Sequence, residues 1–228
     1  MFATMQDELM PGRPARAQPS QSRVIAERPR IEDQATPSDT YPALGEPLAI
    51  ELANTLFTDR GPPLDALTTP AALARWLETN AERIDQPLPR RLGVGDLERA
   101  RELRAMIRAL LATAIDVRPP TAATVRRLND LAAVAPFTPR LHWRAGEPPK
   151  ARHSSSGAGR LDTLLALLAQ SAIDVLGGSG AGRLRRCQAP GCISYYLKDH
   201  PRRAWCSPRC GNRVRVARHY QLRRRAGK

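Results

Sequence analysis

The four cysteines of this 228-residue chain all lie within 24 residues near its C-terminal end. Their spacing is Cys187-x4-Cys192-x13-Cys206-x3-Cys210, which is two close pairs separated by a short loop. Two such pairs can bring four sulfurs to the corners of one tetrahedron, an arrangement that Zn²⁺ favours. Four protein ligands leave no open coordination position, so we expect one structural zinc ion and not a catalytic one.

Two other interpretations of the cysteines stay open, namely two disulfide bonds or four unrelated thiols. Either His200 or His219 could also replace one cysteine as a ligand. The first residues contain no apolar core of a secretory signal, so we expect a cytoplasmic protein, and disulfides are rare in that compartment. The longest apolar stretch, residues 161–176, is interrupted by polar residues and is too short to span a bilayer, so we expect no membrane association.

The positive charge of the chain is concentrated at the same end as the cysteines. After residue 180 there are 14 basic residues and one acidic residue, so this end carries +13 of the net charge of +14. Charge asymmetry of this kind predicts a polyanionic partner. Because arginines neutralise phosphates and can bind the O6 and N7 atoms of guanine, we predict contacts with DNA. The candidate residues are Arg202, Arg203, Arg209, Arg213, Arg215 and Arg218.

Two alternatives to a DNA-binding protein stay open. Basic four-cysteine modules also suit RNA, which gives an RNA-binding or ribosome-associated zinc protein. Tyr195 and Tyr196, on a predicted strand, are the candidate stacking residues for that function, and alternation would expose one of them. The other alternative is a protein-interaction adaptor in which zinc is purely structural. Asn212 and Arg213 also have a second interpretation, in which they brace the zinc site by hydrogen bonds.

The cysteines and arginines must be positioned by a chain whose pattern is mainly helical. Apolar residues that recur every three or four positions predict five helices in the body of the chain. They lie at 48–58, at 70–80, at 96–117, from 121 onward and at 160–176. Pro136 to Trp143 is predicted to be a short strand, and residues 144–159 a polar loop. A last helix, from Ser207 to about residue 223, carries Cys210 on its first turn, where backbone amides favour thiolates.

Composition divides the chain into three parts. Residues 1–40 have hardly any large apolar side chains and are predicted to be disordered. Residues 41–178 form the predicted helical domain, and residues 181–225 form the predicted zinc finger. Gly177 to Gly180 lie between them as a predicted flexible hinge.

Three polar residues, Glu51, Asn54 and Thr55, lie together on the first predicted helix. One interpretation is a solvated helix face, and the other is the lining of a pocket for a small-molecule effector. His142 and His153 stand alone, one on a strand and one in a loop. The sequence contains no visible glycine-rich phosphate loop and no pair of nucleophile and base, so we expect a protein that is not an enzyme.

Short segments of the C-terminal part resemble the CGNR zinc finger, a family named for a tetrapeptide. They are Arg183-Leu184-Arg185-Arg186-Cys187, Pro190-Gly191-Cys192, Arg202 to Ser207 and Cys210-Gly211-Asn212-Arg213. The body resembles the ABATE domain that commonly precedes this finger, through Glu51-Leu52-Ala53-Asn54-Thr55 and the order of its helices. Together the resemblance covers about residues 42 to 222.

This resemblance implies a bacterial, stress-induced transcription regulator that is associated with the nucleoid. Its fold would be a helical domain followed by a treble-clef or ribbon-like finger, with zinc on the four cysteines and DNA as the partner. A homodimer and a small-molecule effector are further candidate partners. The loop between the cysteine pairs, at Tyr195 to Pro201, is shorter here and departs from the family pattern.

Overall fold

The computed structural model describes residues 41, 43–59, 61–155 and 157–226. Within them the chain is mainly helical, as predicted, and the predicted disorder of residues 1–40 lies outside the described residues. The helices are α1 (Leu48–Asn54), α2 (Pro70–Thr79), α3 (Ala81–Ile84), α4 (Val94–Ile115), α5 (Ala122–Ala133), α6 (Arg160–Gly177) and α7 (Pro208–Ala226). Three antiparallel pairs of strands accompany them: β1 (Leu56–Thr58) with β2 (Pro63–Asp65), β3 (Thr138–His142) with β4 (Lys150–Ser154), and β5 (Leu184–Arg186) with β6 (Tyr195–Leu197).

The core of the helical domain forms around α1, which is buried along its whole length against α4 and α6. The predicted apolar stripe of α4 faces this core, for example through Leu103 and Ile107, and α6 contributes Leu164 and Leu168. Burying each such side chain stabilises the fold by about 1.5–3 kcal/mol relative to leaving it exposed. A helix that is enclosed on all sides can carry polar residues only where they find partners within the protein.

The prediction that the first helix continues through Leu56 is wrong. The helix ends at Asn54, and Leu56–Thr58 forms β1, which pairs with β2. The hydroxyl of Thr55 donates to the carbonyl of Leu52 (2.7 Å), so a side chain takes one carbonyl at the end of the helix. Residues 55–58 are also β-branched or aromatic at three of four positions, which suits a strand.

The prediction for residues 136–159 is correct in its first half and wrong in its second half. β3 lies where the strand was predicted, but the supposed loop contains β4, which pairs with β3 in register from Thr138↔Ser154 to His142↔Lys150. β4 has the sequence Lys-Ala-Arg-His-Ser, which lacks the apolar alternation of a half-buried strand. That signal is missing because nearly every residue of this pair of strands is exposed.

The glycine-rich segment after α6 is a compact turn where a flexible hinge was predicted. The amide of Gly178 donates to the carbonyl of Asp174 (3.0 Å), and a short 3-10 turn follows at Ala181–Arg183. A Cβ atom on residue 178 would lie 2.4 Å from that carbonyl oxygen, so only glycine fits. The chain therefore passes from α6 into β5 without a linker. Among the described residues, no helix is both long and apolar enough to cross a membrane.

Candidate metal centre and nucleic-acid interface

Two short local structures bring the cysteine pairs together. Cys187 follows β5, and a turn through Gly191 (φ +73°) returns the chain so that the amide of Cys192 donates to the carbonyl of Ala189 (2.9 Å). The second pair flanks the start of α7. There Ser207 is the N-terminal cap, because its hydroxyl accepts from the amide of Cys210 (3.3 Å), and a proline occupies the first helical position.

The four sulfurs have the geometry of a tetrahedral zinc site. All four ligand atoms lie within 4.8 Å of one another. The Sγ atom of Cys206 is 3.8 Å from that of Cys192 and 3.6 Å from that of Cys210, and Cys192 and Cys210 are 3.8 Å apart. Zinc–sulfur bonds of about 2.3 Å in a tetrahedron require sulfur–sulfur distances of about 3.8 Å. A disulfide requires about 2.05 Å, so neither disulfides nor unrelated thiols describe this cluster.

Hydrogen bonds around the cluster favour negative sulfur. The amide of Cys206 donates to the Sγ atom of Cys187 (3.3 Å), and the guanidinium of Arg213 lies 3.8 Å from the Sγ atom of Cys210. Among the thiols themselves the effect is divided: bonds from Cys187 and Cys206 hold the pKa of the Cys192 thiol far below its usual range, while bonds within the cluster raise the pKa of Cys187 to about 11 and the pKa of Cys206 far above its usual range. The amide of Cys206 and the guanidinium of Arg213 support negative charge on the sulfurs, and a bound Zn²⁺ would supply the charge that keeps all four deprotonated.

The tetrapeptide at 210–213 has a structural reason at each position. Cys210 is a ligand, and Gly211 passes so close to the indole of Trp205 that a Cβ atom would lie 2.9 Å from its Cδ1 atom. Asn212 is exposed, and its side-chain oxygen accepts from the guanidinium of Arg215. Arg213 is half-buried beside the sulfur of Cys210. The bracing interpretation therefore describes the contacts of Arg213, whereas Asn212 orders an arginine of α7.

The finger is held by side chains of the helical domain. The outer edge of β6 faces α1, where the carboxamide of Asn54 makes two hydrogen bonds with Tyr195, one to its carbonyl (2.9 Å) and one from its amide (2.8 Å). Two residues along, the amide of Leu197 donates to the carboxylate of Glu46 (2.9 Å). Body side chains thus satisfy backbone groups that a strand edge would otherwise leave unpaired. Sequence reasoning missed Glu46 because it precedes the first helix.

β6 is enclosed on both of its faces, so both tyrosines are buried. Tyr195 (5% exposed) belongs to the core of the helical domain, and Tyr196 (1% exposed) belongs to the core around the zinc site. The guanidinium of Arg108 lies over the Tyr195 ring at 5.2 Å and also donates to the carbonyl of Ile193 (3.2 Å). The prediction that strand alternation would expose one of the two tyrosines is wrong, because two cores share this strand.

The polar residues of α1 have partners within the protein. Glu51 accepts from the amides of Leu44 (3.0 Å) and Glu46 (2.8 Å), and Thr55 accepts from the buried guanidinium of Arg104 (3.0 Å). Together with Asn54, these residues are buried, so the solvated-face interpretation does not hold. Their lining of an effector pocket stays a prediction. The signal available in the sequence was that α1 is apolar nearly all round, which is typical of a buried helix.

The predicted nucleic-acid residues differ in their surroundings. Arg203 is engaged inside the protein: it bonds the carboxylates of Glu46 (2.7 Å) and Asp199 (3.1 Å) and lies 4.7 Å from the centre of the Tyr196 ring. The exposed arginines are Arg202, Arg209, Arg215 and Arg218. Arg209 pairs with Asp59 of the helical domain (2.6 Å). The side chains of Arg202 and Arg218 make no hydrogen bond or ion pair with any described residue.

A groove of about 1230 Å³ separates α7 from β1. Its lining includes Cys192, Cys206 and Cys210, together with Arg209 and Arg213 of α7. Cys192 and Cys210 are half-exposed, whereas the other two cysteines are buried. The groove therefore borders the metal centre.

Two family models match the sequence. One is the ABATE model, described as "Putative stress-induced transcription regulator", which matches residues 46–179, more than half of the chain. The other is the CGNR zinc finger, which matches residues 183–224 and contains all four clustered cysteines, so the protein has one structural zinc site. Neither description is that of an enzyme family. A search of curated proteins finds no match. The chain belongs to the ABATE family and has a CGNR zinc finger after its helical domain.

Proposed function

We propose that the protein is a zinc-dependent, DNA-binding transcription regulator that is not an enzyme and that acts in the cytoplasm at the nucleoid. The DNA-binding surface is the exposed part of α7 with the loop before it, and its residues are Arg202, Arg209, Arg215 and Arg218. We call this set the α7 basic surface. Arg203 and Arg213 are left out of it, because they are half-buried and their guanidinium groups serve the finger itself, whereas Arg209 stays 65% exposed beside its ion pair with Asp59.

One observation carries the proposal, namely the exposure and charge of the second half of α7. Among the residues of α7 whose side chains the structure describes, Val214 is the last buried one, and those after it are exposed. The chain has no acidic residue beyond Asp199. An exposed helix that contains many arginines and no acid is suited to a polyanion, since each phosphate contact releases counterions.

The dimensions of α7 fit duplex DNA. The helix has 19 residues, and the part after Val214 has 12, which corresponds to about 18 Å at a rise of 1.5 Å per residue. An α-helix with its side chains is about 10–12 Å wide, and the major groove of B-DNA is about 12 Å wide. Arg215 and Arg218 lie on this projecting part, where they could reach phosphates or guanine edges.

The helical domain fixes the orientation of α7. Asn54 and Glu46 form hydrogen bonds with the outer edge of β6, which packs on the zinc site. Asp59 forms an ion pair with Arg209 at the start of α7. A finger that is held at several points loses little orientational entropy when it binds, because it is already ordered. Effector sensing and homodimer formation stay predictions from the sequence.

The burial of Tyr195 and Tyr196 removes the stacking residues that the sequence offered for RNA on β6. Recognition of single-stranded RNA relies on exposed aromatic platforms, and these two residues were the candidates for one. Tyr220 on α7 and Trp143 after β3 are exposed, so the choice between DNA and RNA rests on the binding experiment. The adaptor alternative predicts no nucleic-acid binding at physiological salt.

Fluorescence anisotropy of zinc-loaded protein with a random-sequence duplex and a structured RNA, over a salt series, tests the proposal. We expect the duplex to bind more tightly than the RNA. In Arg215→Ser/Arg218→Ser, the slope of log K against log salt should become less negative by about 0.9 for each phosphate that is no longer neutralised. Arg90→Ser/Arg91→Ser is the matched control, since it removes the same charge from exposed residues before α4. Equal slopes in the two variants, tighter RNA binding, or no duplex binding would each contradict the proposal.

A further inference from the structure

The β3–β4 pair of strands is a ribbon that packs little against the rest of the fold. Every residue of β3 is exposed, as are four of the five residues of β4. Its apolar side chains are exposed as well, since Leu141 is 69% and the adjacent Trp143 is 70% exposed. A two-stranded ribbon without a packed face is only marginally stable in water, so a ribbon of this kind favours a partner.

The register gives the ribbon two chemically different faces. Residues directly opposite each other on antiparallel strands point to the same side, so the pairs Arg140↔Arg152 and His142↔Lys150 share one face. We call these four residues the ribbon basic face. The pair Leu141↔Ala151 lies between them and points to the other side.

Each cross-strand pair of the ribbon basic face places two basic side chains opposite each other. Arg140 stands directly opposite Arg152, and like charges in this position destabilise a pair of strands. The contacts that offset this repulsion are few. Arg152 is 3.6 Å from a carboxylate oxygen of Asp85, Lys150 is 4.0 Å from one of Glu147, and the Nε atom of Arg140 donates to Ser154 (3.0 Å). The ion pairs are long and exposed, so a phosphate can replace them at little cost.

We propose that the ribbon basic face is a second contact surface for the duplex DNA that α7 binds. It would act on the phosphate backbone, where an anion placed between Arg140 and Arg152 turns their repulsion into attraction. Successive cross-strand pairs on the same face are two residues apart along the strand, which is about 7 Å. Lys150 can therefore reach a phosphate next to the one between the arginines. This inference rests on the proposed function.

A second copy of the chain is the other occupant that the ribbon could accept, and it would use the opposite face. Leu141 and Ala151 offer apolar surface there, and the exposed Trp143 follows directly after β3, whereas the ribbon basic face would repel its own copy. The charge of the exposed face complements a polyanion and not a basic protein, which is why we argue for DNA. Self-association through the apolar face is an outcome that the test can detect.

The test compares matched double variants of the full-length, zinc-loaded chain. Arg140→Ser/Arg152→Ser removes the cross-strand pair of arginines, and we call it the rung variant. Arg90→Ser/Arg91→Ser removes the same charge from another part of the surface. With the same random-sequence duplex and salt series, the rung variant should make the salt slope less negative by about 0.9, because the two arginines hold one phosphate between them. Arg140→Lys/Arg152→Lys keeps both charges and should keep most of the slope. Zinc content and circular dichroism should match wild type, because both arginines are exposed.

The possible results separate this inference from the proposed function. If wild type fails to bind duplex DNA, both are overturned. If wild type binds and the rung variant behaves like Arg90→Ser/Arg91→Ser, only the ribbon proposal is overturned. A third result also overturns it. In that case Leu141→Ser lowers both the DNA affinity and the molecular mass of the protein in analytical ultracentrifugation, and the rung variant changes neither. The ribbon would then be a surface for self-association.

Discussion

Replacing Asn54 by alanine should weaken the attachment of the finger to the helical domain. The side chain is 1% exposed, and its carboxamide makes hydrogen bonds of 2.8 and 2.9 Å with the backbone of Tyr195. Truncation leaves the amide and the carbonyl of Tyr195 buried without these partners. Each unsatisfied group costs about 1–3 kcal/mol, so the free energy of unfolding should fall by about 2–6 kcal/mol.

Two signals in one urea titration measure this destabilisation. Far-UV circular dichroism reports mainly on the helices of the domain, and a colorimetric chelator reports the release of zinc from the finger. In wild type the two transitions should coincide, because β6 belongs to both cores. In Asn54→Ala, zinc should be released at a lower urea concentration than the one at which the helices unfold.

Two control variants define the expected scale. Asn129→Ala makes the same chemical change on the exposed side of α5 and should alter the free energy of unfolding by less than about 0.5 kcal/mol. Thr58→Ala removes an exposed contact between the same two parts, a hydrogen bond of 2.6 Å to the carbonyl of Gly191, and should cost about 1 kcal/mol. Asn54→Ala could instead unfold like Asn129→Ala, with helix unfolding and zinc release at the same urea concentration. That result would show that the hydrogen bonds between Asn54 and β6 do not hold the finger.

Three further predictions concern the zinc site and the buried hydroxyl of Tyr41. Gly211→Ala should destabilise the finger by about 1–3 kcal/mol and speed zinc release to a chelator, because its Cβ atom would lie 2.9 Å from the Trp205 ring; an unchanged rate would show that the indole moves aside. Cys206→Ser should reduce bound zinc well below one ion per chain and, because the cores meet at β6, should also lower the melting temperature of the helical domain; elemental analysis and calorimetry measure both, and full zinc occupancy would contradict the assignment. Burial raises the pKa of the Tyr41 hydroxyl to about 12, so the stability it contributes is complete below pH 10.0 and is lost as the pH rises toward 12. Wild type should therefore lose more stability than Tyr41→Phe in urea titrations between these pH values, and parallel losses would refute this.

Features that depend only on residues close together in the sequence could be predicted from it. Apolar periodicity located α2, α4 and α6, with the Thr69 cap of α2 and the start of α6 within a residue. Periodicity failed at the end of α1, where Leu56 fits both a helix and a strand, and it failed for β4, which has no buried face. In both places the decision depends on a partner strand and not on the segment itself.

The partners of polar side chains could not be predicted in the same way. Asn54 and Tyr195 are 141 positions apart, and no spacing rule connects them. Arg203 looked like a phosphate contact because its sequence neighbours are basic, yet Glu46 from the other end of the chain binds it. A charged or polar residue in a sequence shows what it can bind, and the fold decides which partner is within reach.

The sequence by itself determined the metal centre, its location and the basic character of the C-terminal end. Four thiols within 24 residues reach one ion through short loops, so their chemistry depends little on distant parts of the chain. Only the tertiary structure decided how the finger is held, which arginines remain exposed and that β6 serves two cores. The physical reason is that these contacts join residues that lie more than a hundred positions apart in the sequence. They form only when α1, α4 and β6 pack together, and no local pattern contains that information.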